Sequence, residues 1–181
     1  MKWEEKMIIR LANSKDIPHI LQVVEDSYLP FAEQIEKIKV PTYTYEEIDS
    51  LIKDSKCDVW VAEQDDKIIG VAVGIEFGPR AYHLKMMFVS AQYQNQKIGE
   101  VLLEYFEQRG RERQFSLFTS NYLAWAKWSW KFYEKHGYKE YAPEYENISQ
   151  DLKDQVAFLK EIGRLNNGDK HLIWKNDRRL H

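Results

Sequence analysis

A short polar loop between an apolar strand and an amphipathic helix is the part of this sequence best suited to binding an anion. The strand ends near Val89, and apolar residues recur at helical spacing from Ile98. The start of a helix presents several backbone N–H groups and the positive end of the helix dipole, which together suit a phosphate or pyrophosphate. Gly99 would let the backbone approach such an anion closely, because it carries no Cβ.

The strand, loop and helix resemble the acetyl-CoA-binding motif of the GNAT superfamily of N-acetyltransferases, in which Gln/Arg-x-x-Gly-x-Gly/Ala follows a strand and opens a helix. Gln94 and Gly99 match the motif, whereas Lys97 replaces its middle glycine and Ala91 the usual proline. Lys97 could add a positive charge near the phosphates. The resemblance covers about residues 7–175 and implies acetyl-CoA as co-substrate. The cofactor contacts that it implies here are Met87, Phe88, Val89, Gln94, Asn95, Gln96, Lys97, Ile98, Gly99 and Glu100.

A second motif, Phe132-Tyr133 followed by Gly137-Tyr138, resembles the Phe-Tyr-x-x-x-Gly-Phe sequence of the same family. The resemblance implies that Tyr133 protonates the departing thiolate of coenzyme A. A phenol with a pKa of about 10 is a competent donor to a thiolate whose conjugate acid has a pKa of about 8.5. The family's upstream Asn falls on Ala126 here. Asn121 is therefore expected to fill that role as a cofactor contact from another register, unless the helix is longer than usual.

An amine attacks a thioester only after it loses a proton, because a lysine-like amine has a pKa of about 10.4. Glu76 and His83 flank the Gly78-Pro79 turn on neighbouring predicted strands, and either could assist this step as a base. Glu76 shares a strand face with small residues, where a ligand or a helix could come close. The residues alone leave both candidates open.

The predicted reaction is direct transfer of the acetyl group to a primary amine in a ternary complex. A backbone N–H in the segment 87–89 would polarise the thioester carbonyl. The alternative is an inactive acyl-CoA-binding or sensing protein with the same fold, which the replacement at Lys97 and the irregular second motif motivate. A phosphate-loop nucleotide hydrolase is disfavoured, because no Gly-Lys-Ser/Thr follows any predicted strand.

The expected acceptor is a small-molecule or peptide amine. The segment of about 28–45 is expected to shape its site, since aromatic and acidic side chains suit a cationic amine. These side chains are Phe31, Glu33, Glu36, Tyr43 and Tyr45. The segment 141–146 has the same character and is a candidate either for a cover over the site or for the interface of a homodimer.

Hydrophobic patterning predicts the element order β, α, α, β, β, β, α, β, α, β, α, β, an α/β fold with three layers and a central mixed, mostly antiparallel sheet. The predicted strands are 7–11, 59–63, 67–75, 82–89, 115–119, 138–141 and 171–174. The first predicted helix starts at Ser14, and the others cover 44–52, 98–108, 123–135 and 148–162. A further helical stretch, which is not counted in this order, is predicted at 32–38.

Local residue choices place the ends of these elements. Ser14 is predicted as the N-cap of the first helix, and Thr44 with Glu47 forms a predicted capping box. The pair Asp65-Asp66 is predicted as a tight hairpin turn. Gly110 and Gly137 are predicted to end helices, and 166–168 to form a turn.

Composition excludes several classes of protein. The chain of 181 residues carries 26 Lys and Arg against 29 Asp and Glu, so no nucleic-acid partner is expected. The single cysteine, Cys57, excludes an intramolecular disulfide and indicates a reducing cytoplasm. No signal peptide, membrane span or metal-ligand spacing appears. The sequence predicts one domain over 1–181, with tails at 1–6 and 176–181.

Overall fold

The computed structural model describes residues 7–31, 41–78, 80–123, 126–140 and 170–176. The helices predicted at 32–38 and 148–162, the turn at 166–168, the segment 141–146, the tail at 1–6 and residues 177–181 lie outside the described residues. The predicted start of the C-terminal tail at Asn176 is wrong, because this residue belongs to the last strand. Within the described part there are four α-helices: α1 (Ile17–Ser27), α2 (Tyr45–Lys53), α3 (Ile98–Glu112) and α4 (Lys127–Lys135). The strands are β1 (Ile8–Leu11), β2 (Cys57–Gln64), β3 (Lys67–Phe77), β4 (Ala81–Val89), β5 (Leu117–Leu123), β6 (Lys139–Glu140) and β7 (Lys170–Asn176).

The strands form a mixed sheet in the order β1-β2-β3-β4-β5-β7-β6. The pairing of β4 with β5 is parallel, whereas β1 with β2, β5 with β7, and β6 with β7 are antiparallel. The predicted fold class, an α/β fold around a mixed sheet, is confirmed. The paired residues of β4 and β5 run from Ala81 with Leu117 to Leu84 with Ser120, although β5 continues to Leu123.

The chain divides into two compact units. The first unit comprises Met1–Gly74 and Met86–Phe106, and the second comprises Ile75–Lys85 and Glu107–His181. Each unit has buried apolar residues of its own. In the first they include Ile17, Ile20, Ile48, Val71 and Leu102; in the second they include Tyr82, Leu117, Phe118, Tyr138 and Ile173.

Several local predictions are confirmed because the residues that decide them are close in sequence. Thr44 accepts a hydrogen bond from the Glu47 N–H at 3.2 Å, and Glu47 accepts one from the Thr44 N–H at 2.7 Å, so the capping box opens α2. Asp65 and Asp66 have φ values of 51° and 59°, as a two-residue hairpin turn requires. Gly137 follows α4 with a φ of 85°.

The predicted N-cap at Ser14 is wrong by one residue. Asn13 is the cap, and it forms a capping box with Asp16 around a single 3-10 turn, so that α1 begins only at Ile17. Arg10 holds the Asp16 carboxylate through two hydrogen bonds of 2.8 and 2.9 Å. This ion pair holds the pKa of Asp16 below its ordinary value, with burial acting in the opposite direction.

The predicted end of α3 at Gly110 is also wrong. The helix continues to Glu112, and the residue with a left-handed backbone is Gln114, whose φ is 66°. Gly110 serves a packing purpose instead, because a Cβ at this position would lie 2.3 Å from Cε1 of Phe118 and 2.9 Å from Cδ1 of Tyr82. The helix and the sheet of the second unit therefore meet at a glycine.

The boundary between β5 and α4 differs from the prediction as well. The prediction ended the strand at Thr119 and began the helix at Leu123, whereas β5 runs on to Leu123 and α4 begins at Lys127. Pairing with β7 explains the longer strand, since every residue of β5 from Leu117 to Leu123 has a partner there.

We expect Gly110→Ala to lower the free energy of unfolding by roughly 2 kcal/mol, because the added methyl group overpacks a buried contact. Helix propensity alone would give the opposite sign, since alanine is favoured over glycine in a helix by about 1 kcal/mol. Urea denaturation of the two proteins measures the difference. Gly70→Ala is the matched control. A Cβ at this position would lie 3.1 Å from its nearest neighbour, a side-chain methyl group of Leu102, so the loss of stability should be smaller. A stabilised Gly110→Ala variant would contradict the packing argument.

Candidate functional site

The loop after β4 is fastened by the side chain of Gln94. Its amide nitrogen donates hydrogen bonds to the backbone carbonyls of Ser27, at 2.9 Å, and Val89, at 3.0 Å. Ser90, which is buried, donates its N–H to the carbonyl of Ile69 at 2.9 Å and its hydroxyl to Asp26 at 3.3 Å. The end of α1 and the end of β4 therefore hold the start of the loop in place.

Left-handed backbone at Asn95 and Lys97 directs the loop into α3. Their φ values are 61° and 65°, a region that favours glycine and that asparagine tolerates better than lysine. The first hydrogen bond along the axis of α3 runs from the Val101 N–H to the Lys97 carbonyl, at 3.1 Å. The N–H groups of Ile98 and Gly99 precede that bond, and at such positions a helix supplies no acceptor of its own. This arrangement can bind an anion.

The three β4 residues expected to contact the cofactor are half-buried at the end of the strand. The ring of Phe88 meets the rings of Tyr28 and Tyr43 edge-on, with centroid distances of 5.7 and 6.3 Å. Burial raises the pKa of Tyr28 well above its ordinary value, and the nearby Tyr43 adds to the effect. Tyr28 therefore remains a neutral phenol at physiological pH.

Tyr133 lies on α4 and is 5% exposed. Burial raises its pKa to about 12, while a hydrogen bond with the side chain of Ser120 acts in the opposite direction. Ser120 is itself buried on β5 and donates its hydroxyl to the Leu84 carbonyl at 3.0 Å. The phenol of Tyr133 thus keeps its proton at physiological pH, as a proton donor must.

The two candidate bases have different surroundings in the second unit. His83 is 3% exposed, its Nδ1 lies 2.9 Å from Oγ1 of Thr119, and its ring lies 5.2 Å from the ring of Phe77. Glu76 forms an ion pair with Arg113, with Oε1 and Nη1 2.5 Å apart. Thr119 and Arg113 therefore orient the two candidates.

Asn121 lies on β5, one residue beyond Ser120, so its side chain points to the opposite face of the sheet from Ser120. Its amide nitrogen is buried and has no hydrogen-bond partner among the described residues. This donor could bind an oxygen atom of a ligand.

Part of the chain matches a known protein family. Residues 55–140, which hold β2 to β6 with the loop and Tyr133, match the acetyltransferase (GNAT) domain family. This central part of the chain is therefore similar to the acetyltransferases of the GNAT superfamily. The co-substrate of this superfamily is acetyl-CoA, as the sequence resemblance implied. No curated protein sequence matches the chain.

Solved GNAT structures share the fold at low sequence identity. A GNAT acetyltransferase from Staphylococcus aureus Mu50 superposes with a TM-score of 0.71 at 18% identity, covering 94% of this chain and 99% of that one. The PaiA N-acetyltransferase from Thermoplasma acidophilum, in complex with coenzyme A, gives 0.71 at 16% identity, covering 95% and 99%. N-acetylglutamate synthase from Neisseria gonorrhoeae, complexed with coenzyme A and N-acetyl-glutamate, gives 0.68 at 20% identity, covering 98% of this chain and 36% of that one.

The helices of the described residues include none that is long and apolar enough to cross a membrane.

Sequence reasoning missed the residues that hold the candidate side chains. Ser120 and Thr119 orient Tyr133 and His83, and Arg113 binds Glu76, yet none of these partners follows from a local pattern. The alternation of side chains along β5 was the available signal for these partners. Adjacent polar residues on a buried strand face opposite sides of the sheet, so each must meet a different set of neighbours. The role of Gln94 as a fastening residue was also missed, because the motif treats it only as a cofactor contact.

We expect Lys97→Gly to raise the free energy of unfolding by about 1 kcal/mol, because glycine adopts the left-handed backbone without a Cβ penalty. Asn95→Gly is the control at a φ of similar value, and its gain should be smaller, since asparagine already tolerates this region. Urea denaturation gives the stability, and calorimetric titration with acetyl-CoA gives the affinity of each variant. A stability gain without a loss of affinity marks Lys97 as a tolerated replacement, whereas weaker binding by Lys97→Gly would make the lysine a ligand.

Proposed function

We propose that this protein transfers the acetyl group of acetyl-CoA to a primary amine by direct attack in a ternary complex. The observation that carries the proposal is the loop between β4 and α3, where Gln94 fastens the loop and left-handed backbone at Asn95 and Lys97 leads into the helix. A GNAT motif needs this loop shape to bring backbone N–H groups to a pyrophosphate.

The loop would hold the pyrophosphate mainly through backbone N–H groups. Asn95, Gln96, Lys97, Ile98, Gly99 and Glu100 supply them, and Lys97 adds a positive charge. Glu100 contributes through its backbone, since its carboxylate would repel a phosphate. Backbone groups of Met87, Phe88 and Val89 would bind the pantetheine arm, and one N–H there would stabilise the oxyanion that forms on the thioester carbonyl.

Tyr133 is the proposed proton donor to the leaving thiolate and His83 the proposed base for the amine. They border adjacent residues of β5, Ser120 and Thr119, whose side chains point to opposite faces of the sheet. Opposite faces suit the two roles, because the amine that enters and the thiolate that leaves need separate approaches to the reacting carbon. His83 is preferred to Glu76, because the charge of the Glu76 carboxylate is balanced by Arg113, whereas the partner of His83 is the uncharged hydroxyl of Thr119.

The test is release of coenzyme A thiol in the presence of acetyl-CoA and a panel of primary amines, followed with a thiol reagent. Cys57 contributes a constant background, which a reaction without amine measures. Amine-dependent thiol release is the expected result. Tight binding of acetyl-CoA with no release on any amine, including peptide N-termini, would favour the alternative of an acyl-CoA-binding or sensing protein.

We expect His83→Asn to lower kcat/KM by about 100-fold, because the amine then loses its general base. Glu76→Gln is the matched control, and the proposal predicts a much smaller kinetic effect, accompanied by some loss of stability because Arg113 loses its ion pair with Glu76. Steady-state rates of acetyl transfer by the two variants decide the assignment. The reverse ranking of the two variants would assign the base to Glu76.

A further inference from the structure

Two buried side-chain donors of the second unit have no hydrogen-bond acceptor among the described residues. They are Nδ2 of Asn121 on β5 and Nε1 of Trp174 on β7. A buried donor without an acceptor destabilises a fold, and most buried polar groups in proteins are paired. Two such donors in one unit therefore indicate a site that a hydrogen-bond acceptor fills.

Strand register places the two donors on one face of the sheet. Thr119 pairs directly with Trp174 across β5 and β7, and Asn121 follows Thr119 by two residues, so its side chain points to the same side. Side chains at such diagonal positions of an antiparallel pair start about 7–8 Å apart, which long side chains can bridge. The indole and the amide can therefore donate to two oxygen atoms of one group.

Among the described residues that pair with Asn121 or Trp174 across the strands, Lys139 is the only charged one. Lys139 pairs with Trp174 across β6 and β7, and its Nζ lies 5.7 Å from the centroid of the indole ring. The neighbouring acidic residue, Glu140, lies on the opposite face and accepts a hydrogen bond from the Tyr122 hydroxyl at 2.9 Å. A pair of donors next to a lysine favours an anion with two oxygen atoms over an amine or an apolar group.

We propose that Asn121 and Trp174 form a subsite for the carboxylate of the acceptor, so that the acceptor is an amine that also carries a carboxylate, such as an amino acid. This inference rests on the proposed acetyl transfer. The subsite lies on the same face as Thr119, the partner of His83, as the proposed base requires. Asn121, which the family resemblance implied as a cofactor contact, binds the acceptor in this assignment.

The binding test uses the wild-type protein and proton–nitrogen correlation spectra of the side-chain N–H groups. The indole signal of Trp174 is assigned by its loss in Trp174→Phe, and the amide signals of Asn121 by their loss in Asn121→Ala. The probes are leucine and phenylalanine, each matched with the amine that lacks the carboxylate, isoamylamine and phenethylamine. We expect both amino acids to shift the two sets of signals and both matched amines to leave them in place.

The kinetic test compares the same pairs of amines as acceptors. Trp174→Phe and Asn121→Ala should each raise KM for the amino acids by roughly 10- to 100-fold, the effect of losing a hydrogen bond to a charged group, with KM for the matched amines unchanged. Thermal unfolding of both variants checks that they fold. Where one variant fails to fold, the wild-type signals assigned with the other variant still test the inference.

Four results would overturn the inference. The signals could shift with acetyl-CoA alone and not with the amino acids, which would assign the donors to the cofactor. Neither the amino acids nor the matched amines could shift the signals of Trp174 and Asn121. The variants could also raise KM equally for both members of each pair. Acetyl transfer to both members at equal rates would leave the proposed function intact and remove only the carboxylate subsite. Shifts induced by the amino acids without any acetyl transfer would leave the carboxylate subsite intact and remove the proposed function.

Discussion

Tyr133→Phe is expected to lower kcat for acetyl transfer by on the order of 10²–10⁴-fold, the usual contribution of a positioned general acid. The variant keeps the ring and its contacts with Phe132 and Tyr138 but removes the proton that the leaving thiolate needs. Burial raises the pKa of this phenol to about 12, and the same lack of water would raise the pKa of the departing thiol, so donor and acceptor shift together. Steady-state rates with saturating acetyl-CoA measure the loss.

Tyr138→Phe is the matched control for Tyr133→Phe. Tyr138 is another buried tyrosine, and its hydroxyl donates to Oε1 of Glu107 at 3.1 Å, so its loss should affect stability while kcat stays close to the wild-type value. Equal losses of kcat in both variants would mean that burial of a tyrosine in this region, and not proton donation by Tyr133, supports the rate.

The raised pKa of Tyr133 also fixes the sign of a pH effect. The phenol stays protonated up to its folded-state pKa of about 12, so its donation should be intact at neutral pH and fail only as the pH rises toward that value. Its contribution to stability is present below its ordinary pKa of 10.0 and is lost as the pH rises through about 12. Tyr133→Phe should therefore unfold less readily than the wild type in alkali.

The sequence predicted the elements whose signals are local. The capping box at Thr44 and the Asp65-Asp66 hairpin depend on residues within a few positions of each other, and the structure has both. Gly110 shows where local rules fail, because a glycine near the end of a helix predicts a stop unless a distant aromatic residue needs the space. Phe118 and Tyr82 supply that need, and no pattern within the helix reports it.

The candidate site was predictable in its position and less so in its conformation. The motif placed the loop after β4, yet a lysine gives no sign that its backbone is left-handed, as Lys97 is. The partners of the catalytic candidates come from strand register, which joins residues 36 positions apart in the pair His83 and Thr119. Register depends on the pairing of whole strands, so a single sequence did not reveal it.

Lys175→Met is expected to lower the free energy of unfolding by about 3 kcal/mol, because it leaves a buried carboxylate without its main cation. Both carboxylate oxygens of Glu107 lie 3.0 Å from Nζ of Lys175, and Glu107 is 7% exposed. Arg111 lies farther away, at 3.6 Å, and cannot replace both contacts. Methionine keeps the length of the lysine stem, so the change removes charge with little loss of packing. Urea denaturation of the variant measures the effect.

The exposed ion pair of Lys53 and Asp49 provides the comparison for this buried pair. The Lys53 side chain is 69% exposed, so water replaces its partner and Lys53→Met should change stability little. A double-mutant cycle isolates the buried interaction: Glu107→Gln leaves Lys175 able to extend toward water, and it keeps an acceptor for Tyr138, so it should cost less than Lys175→Met. The double variant should then be more stable than the sum of the single losses predicts. Simple additivity would show that Glu107 and Lys175 contribute independently, and that their contact does not stabilise the second unit.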